Sequence, residues 1–164
     1  MQGDAAVIEL LNEALTAELT AINQYFIHAK LSQDWGYTKL ADAMRDESID
    51  EMRHAETIIE RIIFLEGMPN LQRLGSIRVG EDVPEQLSLD LALEMEALAL
   101  YRRGVVLCLE KGDVPSRELF EQLVSDEEHH VDWLETQLSM IEDLGVQLYL
   151  QLQAEGGDSG GAEG

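Results

Sequence analysis

Four glutamates in this chain stand on helix faces that are otherwise apolar. Glu18 has Leu11, Ala14, Leu15, Ala21, Ile22 and Tyr25 at helical-neighbour spacings, and Glu94 has Leu87, Leu91, Ala97, Leu98 and Tyr101. Glu51 is flanked by Met44, Ala55 and Ile58, and Glu127 by Phe120, Leu123, Val124, Val131 and Leu134. Residues three, four and seven apart share one face of an α-helix, so each acid falls on the stripe its helix should bury. Burying a single ionised carboxylate costs on the order of several kcal/mol. Four together repel one another and take up protons. Divalent cations placed among them relieve both penalties. The pattern therefore calls for four helices gathered around a shared, metal-binding centre.

Two of the four acids are followed three residues later by histidine, in Glu51-Met52-Arg53-His54 and Glu127-Glu128-His129-His130. At that spacing both side chains leave one face of a helix and can close on one ion. Four carboxylates and two imidazoles, with no thiolate, suit iron or manganese and are compatible with zinc. The spacing also repeats: Glu18 to Glu51 (51 − 18) and Glu94 to Glu127 (127 − 94) are both 33 residues. Tyr25 and Tyr101 each follow the lone glutamate of their half by seven residues. One Glu-x-x-His is frequent by chance. Two copies, each with an inward Glu at equal separation, predict two helical hairpins related by a pseudo-twofold, each giving half of a dinuclear site.

The rest of the chain reads as helices with clear punctuation. The first is predicted from an N-cap at Asp4 to near Asp34, where Trp35-Gly36 ends it, and the second from Thr38 to Glu66, closed by Gly67 and Pro69. Residues 67–82 carry no sustained period and read as a long crossover. A third helix starts at Val83-Pro84 and runs to Lys111-Gly112, and a fourth runs from Pro115-Ser116 to Gly145. A short fifth helix covers Gln147–Gln153, which places one helical domain over residues 1–154 and a Gly-rich polar tail over 155–164. The expected fold class is all-α: a four-helix bundle with one long crossover and a short C-terminal helix, the topology of ferritin-like bundles.

With 33 acidic against 11 basic residues and a net charge of −22, the chain should be repelled by nucleic acid and by anionic membrane surfaces, and should attract cations. The plainer reading of that charge is solubility. No stretch approaches the roughly 18 apolar residues of a membrane span, and the N-terminus has no signal-peptide pattern. The single cysteine, Cys108, cannot form an intrachain disulfide, so a cytoplasmic location is expected.

On AINQYF at 21–26, ESIDEMRHAE at 47–56, RIIFLEGMPNLQ at 61–72, GED at 80–82, DLALE at 90–94 and DEEHHVDWLE at 126–135, the sequence resembles the bacterioferritin family over nearly its whole length. The resemblance implies iron storage and detoxification by a ferroxidase with two irons per subunit. Glu51 and Glu127 would bridge them, Glu18 with His54 would complete one, and Glu94 with His130 the other. The oxidant would be dioxygen or hydrogen peroxide, with mineral deposited inside a homo-oligomeric cage of about 24 subunits. It also implies a haem b shared between two subunits, with Met52 of each as axial ligand and Leu19, Ile22, Asn23, Phe26 and Ile49 as pocket wall. Many haem-bearing members have histidine where this chain has Asp46; with Asp50 it is a candidate for an accessory iron site on the inner surface. Met68, Pro69 and Glu81 fall in segments matching the surface used by a small ferredoxin partner. Tyr25 is expected to donate its hydroxyl to a ligand carboxylate, whereas a role for Tyr101 rests on the repeat. His28 and His129 are expected at the surface or in an interface. The alternative function is another di-iron enzyme, a peroxidase or oxygenase, on the same bundle; one cysteine excludes the additional Cys-rich iron domain of a rubrerythrin-like peroxidase.

Overall fold

The computed structural model describes residues 1–154; the tail assigned to 155–164 lies outside the described residues. Among the described residues five helices follow in order: α1 Ala5–Asp34, α2 Thr38–Phe64, α3 Val83–Lys111, α4 Val114–Leu144 and α5 Val146–Ala154. Short links make α1 and α2 one antiparallel hairpin and α3 and α4 the other. The crossover joins the hairpins, α1 packs on α3, and α5 closes against α2 and α4. This is the all-α, ferritin-like bundle the sequence predicts.

The helix ends follow from their caps. Asp4 accepts hydrogen bonds from the Ala6 and Val7 amides at the start of α1. Asp82 accepts from the Glu85 amide while the Glu85 carboxylate accepts from the Glu81 amide, a reciprocal cap that fixes the start of α3. Four ends differ from expectation. α2 stops at Phe64 rather than Glu66, because Glu66 turns left-handed (φ 62°) and the Gly67 amide reaches back to the Ile62 carbonyl. α4 starts at Val114, one residue before Pro115, because Asp113 takes the cap and accepts from the Ser116 amide. α5 is one residue longer at each end than 147–153.

Among the described residues the core forms a small cluster of Ala21, Tyr25 and Leu93 and two large ones. One large apolar cluster contains Val7, Leu11, Leu15, Ile58, Ile62, Tyr101 and Phe120; the other contains Leu40, Met44, Leu87, Leu134 and Tyr149. Burial of each such side chain stabilises the fold by about 2 kcal/mol. The four glutamates lie mid-bundle, between these clusters.

The crossover is fastened to α1 by polar side chains at every fourth residue. Asn12 donates to the Met68 carbonyl and accepts from the Asn70 amide. Thr16 accepts from Arg73, Thr20 from the Gly75 amide, Gln24 from the Arg78 amide and His28 from the Gly80 amide. Residues four apart form one ridge of a helix, so this row is a continuous track for a segment with no helical period of its own. Here His28 departs from expectation. It is wholly buried, because the crossover covers it and Asp90 of α3 receives its Nδ1 at 2.8 Å.

Candidate metal centre

Each helix of the bundle contributes one of the four glutamates, and all four are at most 1 % exposed. The helical period that makes each stripe apolar also points its glutamate inward. His54 and His130 stand one turn on from Glu51 and Glu127, with their rings stacked at 6.2 Å between centroids. Six side chains form two overlapping groups. Glu18, Glu51, His54 and Glu127 make one; Glu51, Glu94, Glu127 and His130 make the other; within each group one donor atom per residue lies within 4.8 Å of the rest. Glu51 and Glu127 belong to both.

Both histidines turn Nδ1 toward the acids. His54 Nδ1 is 3.2 Å from Glu51, 3.4 Å from Glu127 and 3.6 Å from Glu18. His130 Nδ1 is 2.9 Å from Glu51, 3.2 Å from Glu127 and 3.7 Å from Glu94. Of these contacts only His54 Nδ1 to Glu51 Oε2 is aligned as a hydrogen bond. Glu18 Oε2, Glu51 Oε1, both oxygens of Glu127 and His130 Nδ1 are buried without an aligned partner. Buried polar atoms are almost always paired, so a convergence of lone pairs on one small volume fits a cation between them. Outside the acids, Tyr25 donates to Glu94 at 2.6 Å and Tyr101 donates to Glu18.

Burial, and then the neighbouring carboxylates, push Glu51 and Glu94 well above the ordinary carboxylate range. Burial opposes ionisation of Glu127 too, but the close Glu94 carboxyl and the His130 and His54 imidazoles overcome it and hold Glu127 low. Burial likewise disfavours charge on the two imidazoles, yet the acids around them raise both far above the usual histidine value. Burial and the same acids keep the Tyr25 and Tyr101 hydroxyls protonated. Without metal, protons thus balance the clustered negative charge.

Other residues singled out by sequence fall elsewhere. Met52 is on the outer flank of α2, 51 % exposed, beside the exposed Ile49 on the same helix; Phe26 of α1 is also exposed. Asp50 joins Glu47 and His130 in a third cluster, whereas Asp46 is exposed and in none of the three. His129 is exposed and bonded to the Ser125 carbonyl, as expected of a surface residue. Sequence reasoning missed Glu47 and Asp126, which meet the outer Nε2 atoms of His130 and His54 at 2.8 and 3.0 Å. Their one signal was position: Glu47 precedes Glu51 by a turn, and Asp126 adjoins Glu127.

Residues 8–144 match the family of the ferritin-like domain. A bacterioferritin of Mycobacterium leprae is 54 % identical over 149 residues, covering 91 % of this chain and 94 % of that one. A bacterioferritin of Streptomyces coelicolor is 56 % identical over 155 residues, covering 94 % of this chain and 93 % of that one. The chain belongs to the bacterioferritin family. The fold agrees: the solved structure of Mycobacterium tuberculosis bacterioferritin, BfrA, superposes with a TM-score of 0.92 at 53 % identity, covering 93 % of this chain and 96 % of that one. Bacterioferritin membership carries iron storage as the function.

Proposed function

We propose that this bacterioferritin-family chain is a ferroxidase whose substrate is a pair of ferrous ions. Glu18 and His54 hold one ion, Glu94 and His130 the other, and Glu51 and Glu127 stand between them. The observation that carries the reading is the set of buried oxygen and nitrogen lone pairs left without aligned hydrogen bonds in the two overlapping groups. Each ferrous ion gives up one electron. The two electrons and two protons convert dioxygen to hydrogen peroxide, or hydrogen peroxide to two waters. The protein supplies geometry: Tyr25 and Tyr101 fix Glu94 and Glu18, and the flanking apolar clusters limit water.

Storage follows if ferric product hydrolyses inside a closed shell of about 24 copies, in keeping with the closed symmetry of most homo-oligomers. Ile63, Phe64, Val106 and Leu109 are all more than half exposed, which supports burial against further copies. Met52, exposed on a flank with Ile49, is suited to hold a haem b at an interface between two subunits. Asp46 and Asp50, both on α2, are the candidates for an accessory inner-surface iron site. Met68, 83 % exposed on the crossover, with Pro69 and exposed Glu81, would receive a small ferredoxin during iron release. The single buried Cys108 fits a cytoplasmic setting, and among the described residues no helix is long and apolar enough to cross a membrane.

Anaerobic titration should saturate at two ferrous ions per subunit, and admission of oxygen should then give a fast oxidation phase. His130→Ala should abolish that phase or slow it at least about tenfold, as loss of a metal ligand does. An unchanged fast phase in the variant would overturn the assignment.

A further inference from the structure

We infer that Glu47 and Asp126 are positioning residues for the dinuclear centre, each holding one inward histidine by its outer nitrogen and so serving one half of the site. The inference rests on the ferroxidase reading above. A nitrogen that ligates a metal must offer a lone pair, so the ring proton has to sit on the other nitrogen. An anion at Nε2 stabilises that tautomer and fixes the ring plane. Glu47 Oε2 lies 2.8 Å from His130 Nε2, and Asp126 Oδ2 lies 3.0 Å from His54 Nε2. The opposite nitrogen of each ring, Nδ1, faces the shared acids.

The two carboxylates are not copies of each other. The repeat relates the halves by 76 residues (94 − 18, 127 − 51 and 130 − 54). In that register Asp126 corresponds to Asp50, and Glu47 corresponds to Leu123, a buried core residue. By symmetry Asp50 should hold His130, but Arg53 takes it at 2.8 Å. The counterpart of Arg53 is His129, which bonds the Ser125 carbonyl instead and leaves Asp126 to His54 and to Gln122. On the His130 side the task falls to Glu47, one turn earlier on α2. Asp126 is hydrogen-bonded to His54, whereas Glu47 Oε2 is at ion-pair distance from His130 without an aligned hydrogen bond. A carboxylate set against Nε2 from two non-equivalent positions is not a leftover of the repeat; it marks a requirement of the histidines themselves.

The probe is cobalt(II), titrated into the full-length, metal-free protein and followed by equilibrium dialysis and by its visible absorption. Wild type should take up two ions per subunit. Glu47→Leu should keep one tight site and weaken the other by about 10- to 100-fold, the usual loss when an outer partner of a metal-bound histidine is removed. The surviving site should vanish on adding His54→Ala and persist on adding His130→Ala. Asp126→Leu should give the mirror image. Glu47→Gln, whose amide oxygen still accepts from Nε2, should recover most of the lost affinity. Equal weakening of both sites, a wild-type titration by Glu47→Leu, or no recovery by Gln would overturn the positioning roles and leave the metal centre standing. Failure of wild type to bind two cobalt ions would overturn the dinuclear reading, and the positioning roles with it.

Discussion

A glutamate that is at most 1 % exposed, as all four here are, is tolerable only with its charge balanced. In the metal-free bundle protons do this: Glu51 and Glu94 are raised by burial and by their neighbours, and His54 and His130 are raised, despite burial, by the surrounding acids. All four shifts favour the protonated form, so at neutral pH ion binding must displace protons. Uptake of two ferrous or cobalt ions should therefore acidify a weakly buffered solution. Apparent affinity should fall on going to lower pH, by about tenfold per pH unit for each proton displaced. Indicator-dye titration at several pH values measures both, and a pH-independent affinity with no proton release would contradict the protonated cluster. The six side chains of this cluster were legible in sequence because acid on an apolar stripe is out of place. Tyr101 was signalled by the repeat alone, and its bond to Glu18 mirrors that of Tyr25 to Glu94. Glu47 and Asp126 were not legible, since what they touch depends on side-chain rotamers and on the packing of a second helix. His28 was misread for a related reason: its burial comes from a crossover segment more than 50 residues away in the chain.

Among the elements, α1 to α4 were predicted to within two residues at every end, because their caps and closing glycines are local signals. The path of the crossover was not. It follows the row Asn12, Thr16, Thr20, Gln24 and His28, and a row of polar residues on one helix reads equally well as a solvated face. Close helix packing hides in sequence in the same way. Gly104 of α3 lies against the ring of Phe120 on α4, and a Cβ there would meet ring atoms at 2.5 to 2.7 Å. Alanine would gain about 1 kcal/mol in helix propensity, but displacing a fully buried ring costs about 1–3 kcal/mol. Gly104→Ala should therefore lower the thermal unfolding midpoint of the metal-free protein. Adding Phe120→Leu should relieve the clash, so that the double variant loses less than the two single losses combined. Strict additivity would show that the ring does not set the spacing of α3 and α4.

For the whole molecule, the decisive surfaces are those the single chain leaves uncovered. Met52 follows Glu51 by one residue, which turns it about 100° away from the buried stripe, onto a flank where it is 51 % exposed. A thioether is a weak ligand, and one subunit offers a haem only one such group at this place. If Met52 ligates the proposed haem, two axial bonds would require the same face of a second copy, related by a twofold. That symmetry would set a stoichiometry of one haem for two subunits. Reconstituted wild type should bind haem to that limit, measured as pyridine haemochrome against protein, with the absorption spectrum of two sulphur ligands. Met52→Leu keeps the apolar volume and removes the sulphur, so it should lose the bound haem or the sulphur-ligand spectrum while the assembly keeps its size by light scattering. Met52→His should retain haem with a changed spectrum, because imidazole is the stronger ligand. Haem bound at one per subunit, or a wild-type spectrum in Met52→Leu, would place the haem elsewhere and return Met52 to a packing role in the interface.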